Sequence, residues 1–239
     1  MTKEHILEVH NQIVFDEIPH KYYFEGEEKI SATTFIKQFH EEFDREKVLD
    51  KKGLQGLDRI NEKDNYRLSG PKGSTIHECL EFIAINLVDS MLNCMNKYVN
   101  SIKLEYRNQI EKGCILVDNW LNQGYEIVGT EVRVTDGIIA GTMDLLLYNP
   151  KTGKYVILDY KTCDKLGKNN YGSMFNEPFK EIECSKHSKY SMQLSLYAAI
   201  LEDNYEVEIE GMYLLWIPKE QDEFEWACED LRDVIRRVL

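Results

Sequence analysis

The sequence predicts a mixed α/β fold with a central mixed sheet flanked by helices, and three observations carry that expectation. Three strand-like segments follow one another, YEIVGTEVRVT, GIIAGTMDLLLYN and KYVILDYKT, dense in Val, Ile, Leu and Tyr. Segments with apolar residues at helical spacing lie on either side of them. Two further strand-like segments, VEIEGMYLLWIP and EFEWAC, precede a short closing helix. The 239 residues, 43% hydrophobic and 11% aromatic, are enough to bury a core. No repeat or low-complexity linker divides them, so the chain reads as a single domain.

In order, NQIVFDEIPHKYYFEGEEKISATTFIKQF predicts short strands around a turn at Gly26, with Ser31 capping a helix over 32–43. The polar stretch 50–70 predicts loop or short helix. Pro71 suits the first turn of a helix running through KGSTIHECLEFIAINLVDSML, where Ile76, Leu80, Ile83, Ala84 and Leu87 share one face. A further helix is expected over 104–122. After the three strands comes a loop of about 20 residues, long enough to be functional. SKHSKYSMQLSLYAAILED then predicts a helix, and EDLRDVIRRVL the closing one.

No run of 18 apolar residues is present, and the first residues lack the basic-then-apolar layout of a signal peptide, so a cytoplasmic protein is expected. The six cysteines, Cys79, Cys94, Cys114, Cys163, Cys184 and Cys228, are scattered without a C-x-x-C pair and read as reduced thiols. The net charge of −13 is unevenly spread. Residues 202–230 hold eleven acidic side chains against Lys219 alone, leaving −3 for the rest of the chain. By contrast, 51–73 has six basic and three acidic groups, and 161–189 has six and four. Two arrangements fit: an acidic face, open to a protein partner, set apart from a weakly basic cleft, or a chain with no polyanionic partner.

The chemistry concentrates in GTMDLLLYNPKTGKYVILDYKT, where Asp144 and Asp159 interrupt nearly continuous apolar runs. Pro150 and Gly153 suit a tight turn. If Asn149 pairs with Lys154, the register opposes Asp144 to Asp159, with Cβ atoms roughly 4.5–5.5 Å apart on one face. Lys161 shares the Asp159 face, while Leu158 and Tyr160 point the other way. Two carboxylates that close require a proton or a cation between them. Oxygen ligands suit Mg²⁺ or Mn²⁺, which would activate water for phosphodiester hydrolysis, with Lys161 orienting the water, stabilising charge or acting as a base. The alternative for an ordinary hairpin is an Asp144–Lys161 ion pair with Asp159 facing water. A register slip of one residue would place the two carboxylates on opposite faces.

These motifs, taken in order, resemble those of the PD-(D/E)XK nucleases, more specifically the RecB-like exonuclease branch. GSTIH (Gly73 to His77) matches a G-x-x-x-H helix, Glu131 an acidic residue on the first core strand, GTMD and DYKT the metal-binding core, and QLSLY (Gln193 to Tyr197) a Q-x-x-x-Y helix. HKYYFEGEEKISATTF is similar to the start of phage-encoded and mitochondrial-genome-maintenance-type members. The resemblance implies a restriction-endonuclease-like core over about 131–200, with 1–70 as an N-terminal elaboration. It implies that Asp144, Asp159, His77 and the Tyr160 carbonyl bind metal, and that Lys161 is catalytic. It further implies that Glu131, Gln193 and Tyr197 complete the catalytic set, and Lys72, Ser74, Thr162, Lys165, Lys168 and Tyr171 are the candidates for contacting nucleic acid. In the long loop, Phe175 and Phe179 are further candidates for stacking on a strand, or else pack the loop down.

The implied activity is a Mg²⁺- or Mn²⁺-dependent DNA exonuclease of recombination, repair or phage DNA processing, working in a bacterial or phage-infected cytoplasm on single strands or duplex ends. The four-cysteine iron-sulfur staple of some relatives has no counterpart, so no cluster is expected, and no helicase P-loop is present. An endonuclease on the same core, a non-cutting binding module and a partner-docking protein are the alternatives.

Overall fold

The computed structural model describes residues 3–40, 50, 53, 55, 58, 73–167 and 175–239. Its frame is an eight-stranded mixed sheet. The N-terminal strands are β1 (Val14–Asp16), β2 (Lys21–Phe24) and β3 (Glu27–Ser31), and the core strands are β4 (Glu126–Thr135), β5 (Ile139–Asn149) and β6 (Lys154–Lys161). β7 (Ile209–Trp216) and β8 (Phe224–Ala227) complete it, in the order β1-β2-β3-β5-β6-β7-β8 with β4 on the other side of β5. The expected mixed sheet flanked by helices is present.

β5 organises the sheet because its two ends have different neighbours. At its start, Ile139 and Ala140 pair in parallel with Ile30 and Ser31 of β3. At its end, Leu145 to Asn149 pair antiparallel with Leu158 to Lys154 of β6, around a turn closed by a 2.8 Å bond from Gly153 N–H to the Asn149 carbonyl. The turn residues and register are those expected from Pro150 and Gly153. The ladder stops at Leu145↔Leu158, one pair short of the opposition expected for Asp144 and Asp159. Beyond it β6 continues alongside β7, with Asp159↔Leu214 and Lys161↔Trp216 in parallel register. The sheet therefore forks next to Asp144.

Helices cover both faces. On one lie α1 (Lys3–Gln12), α2 (Ala32–Lys37), α6 (Lys186–Tyr205) and α7 (Arg232–Ile235), around a core that includes Ile6, Phe35, Tyr197 and Ile235. On the other lie α3 (residues 73–85), α4 (Met91–Lys97) and α5 (Leu104–Asn122), packed on Leu145, Leu158 and Tyr160. No helix among the described residues is long and apolar enough to cross a membrane.

Three local expectations need correction. The helix expected through residue 92 ends at 85, where the Asn86 side chain bonds the Phe82 carbonyl, and a new helix starts after Ser90. Ser90 Oγ accepts from Asn93 N–H, and Asp118 of α5 accepts from the Met91 and Leu92 N–H groups at 2.7 and 3.0 Å. That second cap comes from across the fold, which periodicity does not show. The helix capped by Ser31 ends at Lys37, before a turn and the bridge from His40 to Phe175, its cap made as expected by a 3.2 Å bond from Thr34 N–H. The closing helix is one turn, Arg232–Ile235.

Gly141 of the GTMD segment has a packing cause. A Cβ there would lie 2.3 Å from Cε1 of Tyr197 and 2.8 Å from its hydroxyl, so the α6 ring rests directly on β5 backbone. Gly141→Ala is expected to cost about 1–3 kcal/mol by overpacking. Urea denaturation will read this as a lower midpoint, partly recovered in Gly141→Ala/Tyr197→Leu, which removes the ring edge.

Candidate metal and catalytic site

The fork exposes the end of the β5–β6 ladder, and the Asp144 carboxylate occupies it. Asp144 Oδ2 accepts a 2.7 Å bond from the Tyr160 N–H and lies 3.4 Å from Nδ1 of His77 on α3. Across the β4–β5 ladder, the pairs Thr130↔Leu145 and Val132↔Met143 bracket Glu131 and Asp144, setting the two acids at facing positions. Glu131 has φ 47°, left-handed backbone inside a strand. For a non-glycine residue this conformation costs of order 1–3 kcal/mol and clusters at functional sites. His77, Glu131 and Asp144 each offer a ligand atom, and those atoms lie within 4.8 Å of one another. They form the one such His, Cys, Asp or Glu group among the described residues.

Asp159 belongs to a second cluster. It is 3% exposed, and its Oδ2 faces the Lys161 ammonium with no hydrogen-bond partner otherwise. Lys161 Nζ also lies 4.5 Å from the centre of the Tyr190 ring on α6. From the same helix, Gln193 Nε2 donates to the Tyr197 hydroxyl at 2.8 Å, and Tyr197 is buried against Gly141. Tyr197 is thus part of the core beneath the fork and Gln193 its partner. The arrangement places Asp144 with His77 and Glu131, and Asp159 with Lys161, where the sequence suggested a single carboxylate pair.

The charges follow from burial and neighbours. Burial and the nearby Asp144 and Glu81 carboxylates push the Glu131 carboxyl up to about 8. Burial also lifts Asp159, to about 6, with Lys161 pulling it down and Asp144 pushing it up. Burial would raise Asp144 as well, but His77, Lys161 and the Tyr160 N–H together hold it below its ordinary value. For His77, burial is outweighed by Asp144, so the imidazole is raised and favours its cationic form. Burial of Lys161 is likewise outweighed by Asp159 and Asp144, which keep the ammonium protonated. A lysine acting as a base needs the opposite shift, so with no cation among these carboxylates Lys161 is a donor and a charge.

The other nucleic-acid candidates divide. Thr162 sits against Gly73 at the start of the described part of α3, its hydroxyl 3.2 Å from where a Cβ would stand. Ser74 and Lys165 are exposed. Lys72, Lys168 and Tyr171 lie outside the described residues. Phe175 and Phe179 are 3% and 0% exposed, and Phe179 packs edge-on against Phe39 of the N-terminal region at 5.0 Å. They pack the loop down and offer no stacking face.

Two residues at the site escaped the sequence. Glu81, one turn after His77 on α3, acts on Glu131 electrostatically and is itself raised by burial, by Glu78 and by Asp144. Tyr190 stands three residues before Gln193. Helical spacing from the recognised residues, i+4 from His77 and i−3 from Gln193, is the signal that points to both.

In metal-free protein the raised carboxyls make stability fall with pH. Between the ordinary carboxyl value of 4.5 and about 8, the folded state holds a proton on Glu131 that the unfolded state has released. Thermal unfolding in EDTA is therefore expected to give a falling Tm from about pH 5 to 8, and Glu131→Gln should flatten the fall. Adding Mn²⁺ should raise the Tm of wild type by several degrees and that of Glu131→Gln far less.

A crystal structure of a protein described as "Putative exonuclease" from Eubacterium rectale aligns with a TM-score of 0.40 and 13% identity, over 70% of this chain and 61% of that one. The chain therefore spans less than two thirds of that relative's length. A second structure, of SSO0001, aligns with a TM-score of 0.24 and 15% identity over 69% and 82% of the two chains. No curated protein matches the sequence. The family described as the PD-(D/E)XK nuclease superfamily matches residues 53–236, most of the chain and all of the site described above, and the protein belongs to that superfamily.

Proposed function

We propose that the chain is a divalent-metal-dependent deoxyribonuclease that degrades DNA from its ends, hydrolysing phosphodiester bonds to leave 5′-phosphates. One observation carries the proposal. His77, Glu131 and Asp144 converge on one side of the fork, and the buried Asp159–Lys161 pair stands on the other. A nuclease-family fold has no structural need for three carboxylates and two cationic groups at one sheet opening, and their mutual repulsion is a cost that a bound cation removes.

The donor set fits a hard divalent cation. Two carboxylates and an imidazole are within reach of one centre, Asp159 Oδ2 is buried with the Lys161 ammonium as its one partner, and the Tyr160 carbonyl stands between Asp159 and Lys161 in the chain. Mg²⁺ or Mn²⁺ suits the carboxylate-rich set, and Mn²⁺ tolerates the imidazole better. Such a cation supplies charge neutralisation and Lewis acidity toward a phosphodiester.

The chain's own residues do the rest. Asp144, kept ionised by His77 and the Tyr160 N–H, fixes negative charge at the fork. Lys161, kept protonated and steadied by Asp159 and the Tyr190 ring, presents N–H donors to the developing charge on phosphate oxygens. Gln193 and Tyr197 hold β5 against α6, so the spacing of these groups is set by core packing.

A Mg²⁺ assay on end-labelled linear and covalently closed circular single strands tests the proposal. Linear DNA is expected to disappear while circles survive, with EDTA abolishing cleavage. Lys161→Ala and Asp144→Asn should each lose at least about 100-fold in kcat. Equal activity of wild type and Lys161→Ala would overturn the mechanism, and loss of the circles would make the enzyme an endonuclease.

A further inference from the structure

Aromatic side chains stand beside Lys161 on the neighbouring strands. Lys161 stands in register with Trp216 of β7, and Trp216 with Phe224 of β8, so the three lie side by side across the sheet on one face. Two inter-strand spacings put Phe224 about 10 Å from Lys161. The level is the carboxyl end of the parallel β6–β7 pair, where open α/β sheets bind their ligands.

Phe224 is 57% exposed, unusual for a phenylalanine in a strand. It is also held firmly. Its ring meets Trp226 edge-to-face at 6.2 Å and 88°, and Trp226 is backed by the His187 ring at 4.8 Å. His187 Nε2 is fixed 3.0 Å from the Ala227 carbonyl. Trp216 Nε1 donates to the Cys163 carbonyl, which ties the aromatic row to the segment directly after Lys161. That segment carries the exposed Lys165.

The charge around Phe224 selects the occupant. Glu220, Asp222 and Glu223 precede it, so a phosphate there is repelled, while an uncharged aromatic ring is not. A nucleobase presents a flat apolar face and leaves its phosphates to run on the Lys165 side. A base inside a duplex has both faces covered by its stack, and at a duplex end the partner strand would bring a second row of phosphates against these carboxylates. The occupant is therefore an unpaired base.

We propose that Phe224 is a stacking platform for an unpaired nucleobase one or two nucleotides from the phosphate held at Lys161, making single-stranded ends the substrate; this rests on the nuclease function proposed above. Stacking of a base on an aromatic side chain is sequence-tolerant, so the site selects strandedness and not sequence.

Steady-state kinetics on 5′-labelled oligo(dT) with Mg²⁺ test it. Phe224→Ala is expected to raise KM between about 5- and 150-fold with kcat within about twofold, Phe224→Leu to do the same while keeping the apolar packing, and Phe224→Trp to restore wild-type KM. Oligonucleotides with one abasic site, walked from the labelled end, should show a matching loss in wild type at one position and none there in Phe224→Ala. Wild-type KM in Phe224→Leu, or equal abasic losses in both proteins, would overturn the platform while leaving the nuclease intact. A wild type that cleaves no DNA would overturn both.

Discussion

The 2.7 Å hydrogen bond from the Tyr160 N–H to Asp144 Oδ2 is the interaction on which the site depends. Where the β5–β6 ladder ends, the Tyr160 N–H would be a buried orphan, and a side-chain carboxylate takes the place of a strand. A charge-assisted bond of this kind is stronger than a neutral ladder bond. It also holds Asp144 ionised within 3.4 Å of His77. The backbone's need for an acceptor at the fork and the site's need for a fixed negative charge are thus met by one group. Replacing Asp144 with an apolar residue would leave the strand end unsatisfied as well as removing a carboxylate from the cluster with His77 and Glu131.

Around that bond the charges fall into two sets that repel each other. Glu131 and Asp144 face one another across β4 and β5, and Asp159 lies close enough to push Glu131 up and to be pushed up itself by Asp144. Two cationic groups, His77 and Lys161, relieve only part of this, which is why burial leaves Glu131 so strongly raised. Left-handed backbone at Glu131 adds strain at the same point. Folding stabilises the arrangement from elsewhere, through cores on both faces of the sheet and the α6 ring resting on Gly141. A divalent cation is the simplest ligand that turns such stored repulsion into binding energy.

Much of the fold was legible because local chemistry agreed with the global arrangement. Pro150 and Gly153 set the hairpin, and from that turn the β5–β6 register followed down to Leu145↔Leu158. The fork itself was not legible. Strand divergence depends on β3 and β7, which are remote in sequence, and so Asp144 pairs with a backbone N–H and His77 where a direct Asp159 partner was expected. The break after residue 85 was hidden for the same reason, since Asp118 caps α4 from another helix. Periodicity reports which face of an element is apolar; it does not report which side chain arrives from across the fold. Phe175 and Phe179, open to either reading in the sequence, anchor the loop, aromatic residues there being as able to pack as to bind a ligand.

The net charge of −13 is less of an obstacle to a nucleic-acid substrate than it first looks. Of the eleven acids in 202–230, six are engaged within the chain. Glu202, Asp203 and Asp230 bind Arg232 and Arg236, Glu208 binds Lys154, Glu210 accepts from Tyr125 and Asn149, and Glu225 accepts from the Trp120 indole. The acidic stretch therefore spends much of its charge fastening α7 and the sheet edge, and what it leaves for a partner protein is correspondingly smaller. Affinity that came from many phosphate contacts would still be hard to build on this surface, because each contact needs a Lys or Arg. A site that grips one strand by a base on an aromatic ring, a phosphate at Lys161 and a cation among carboxylates needs few of them.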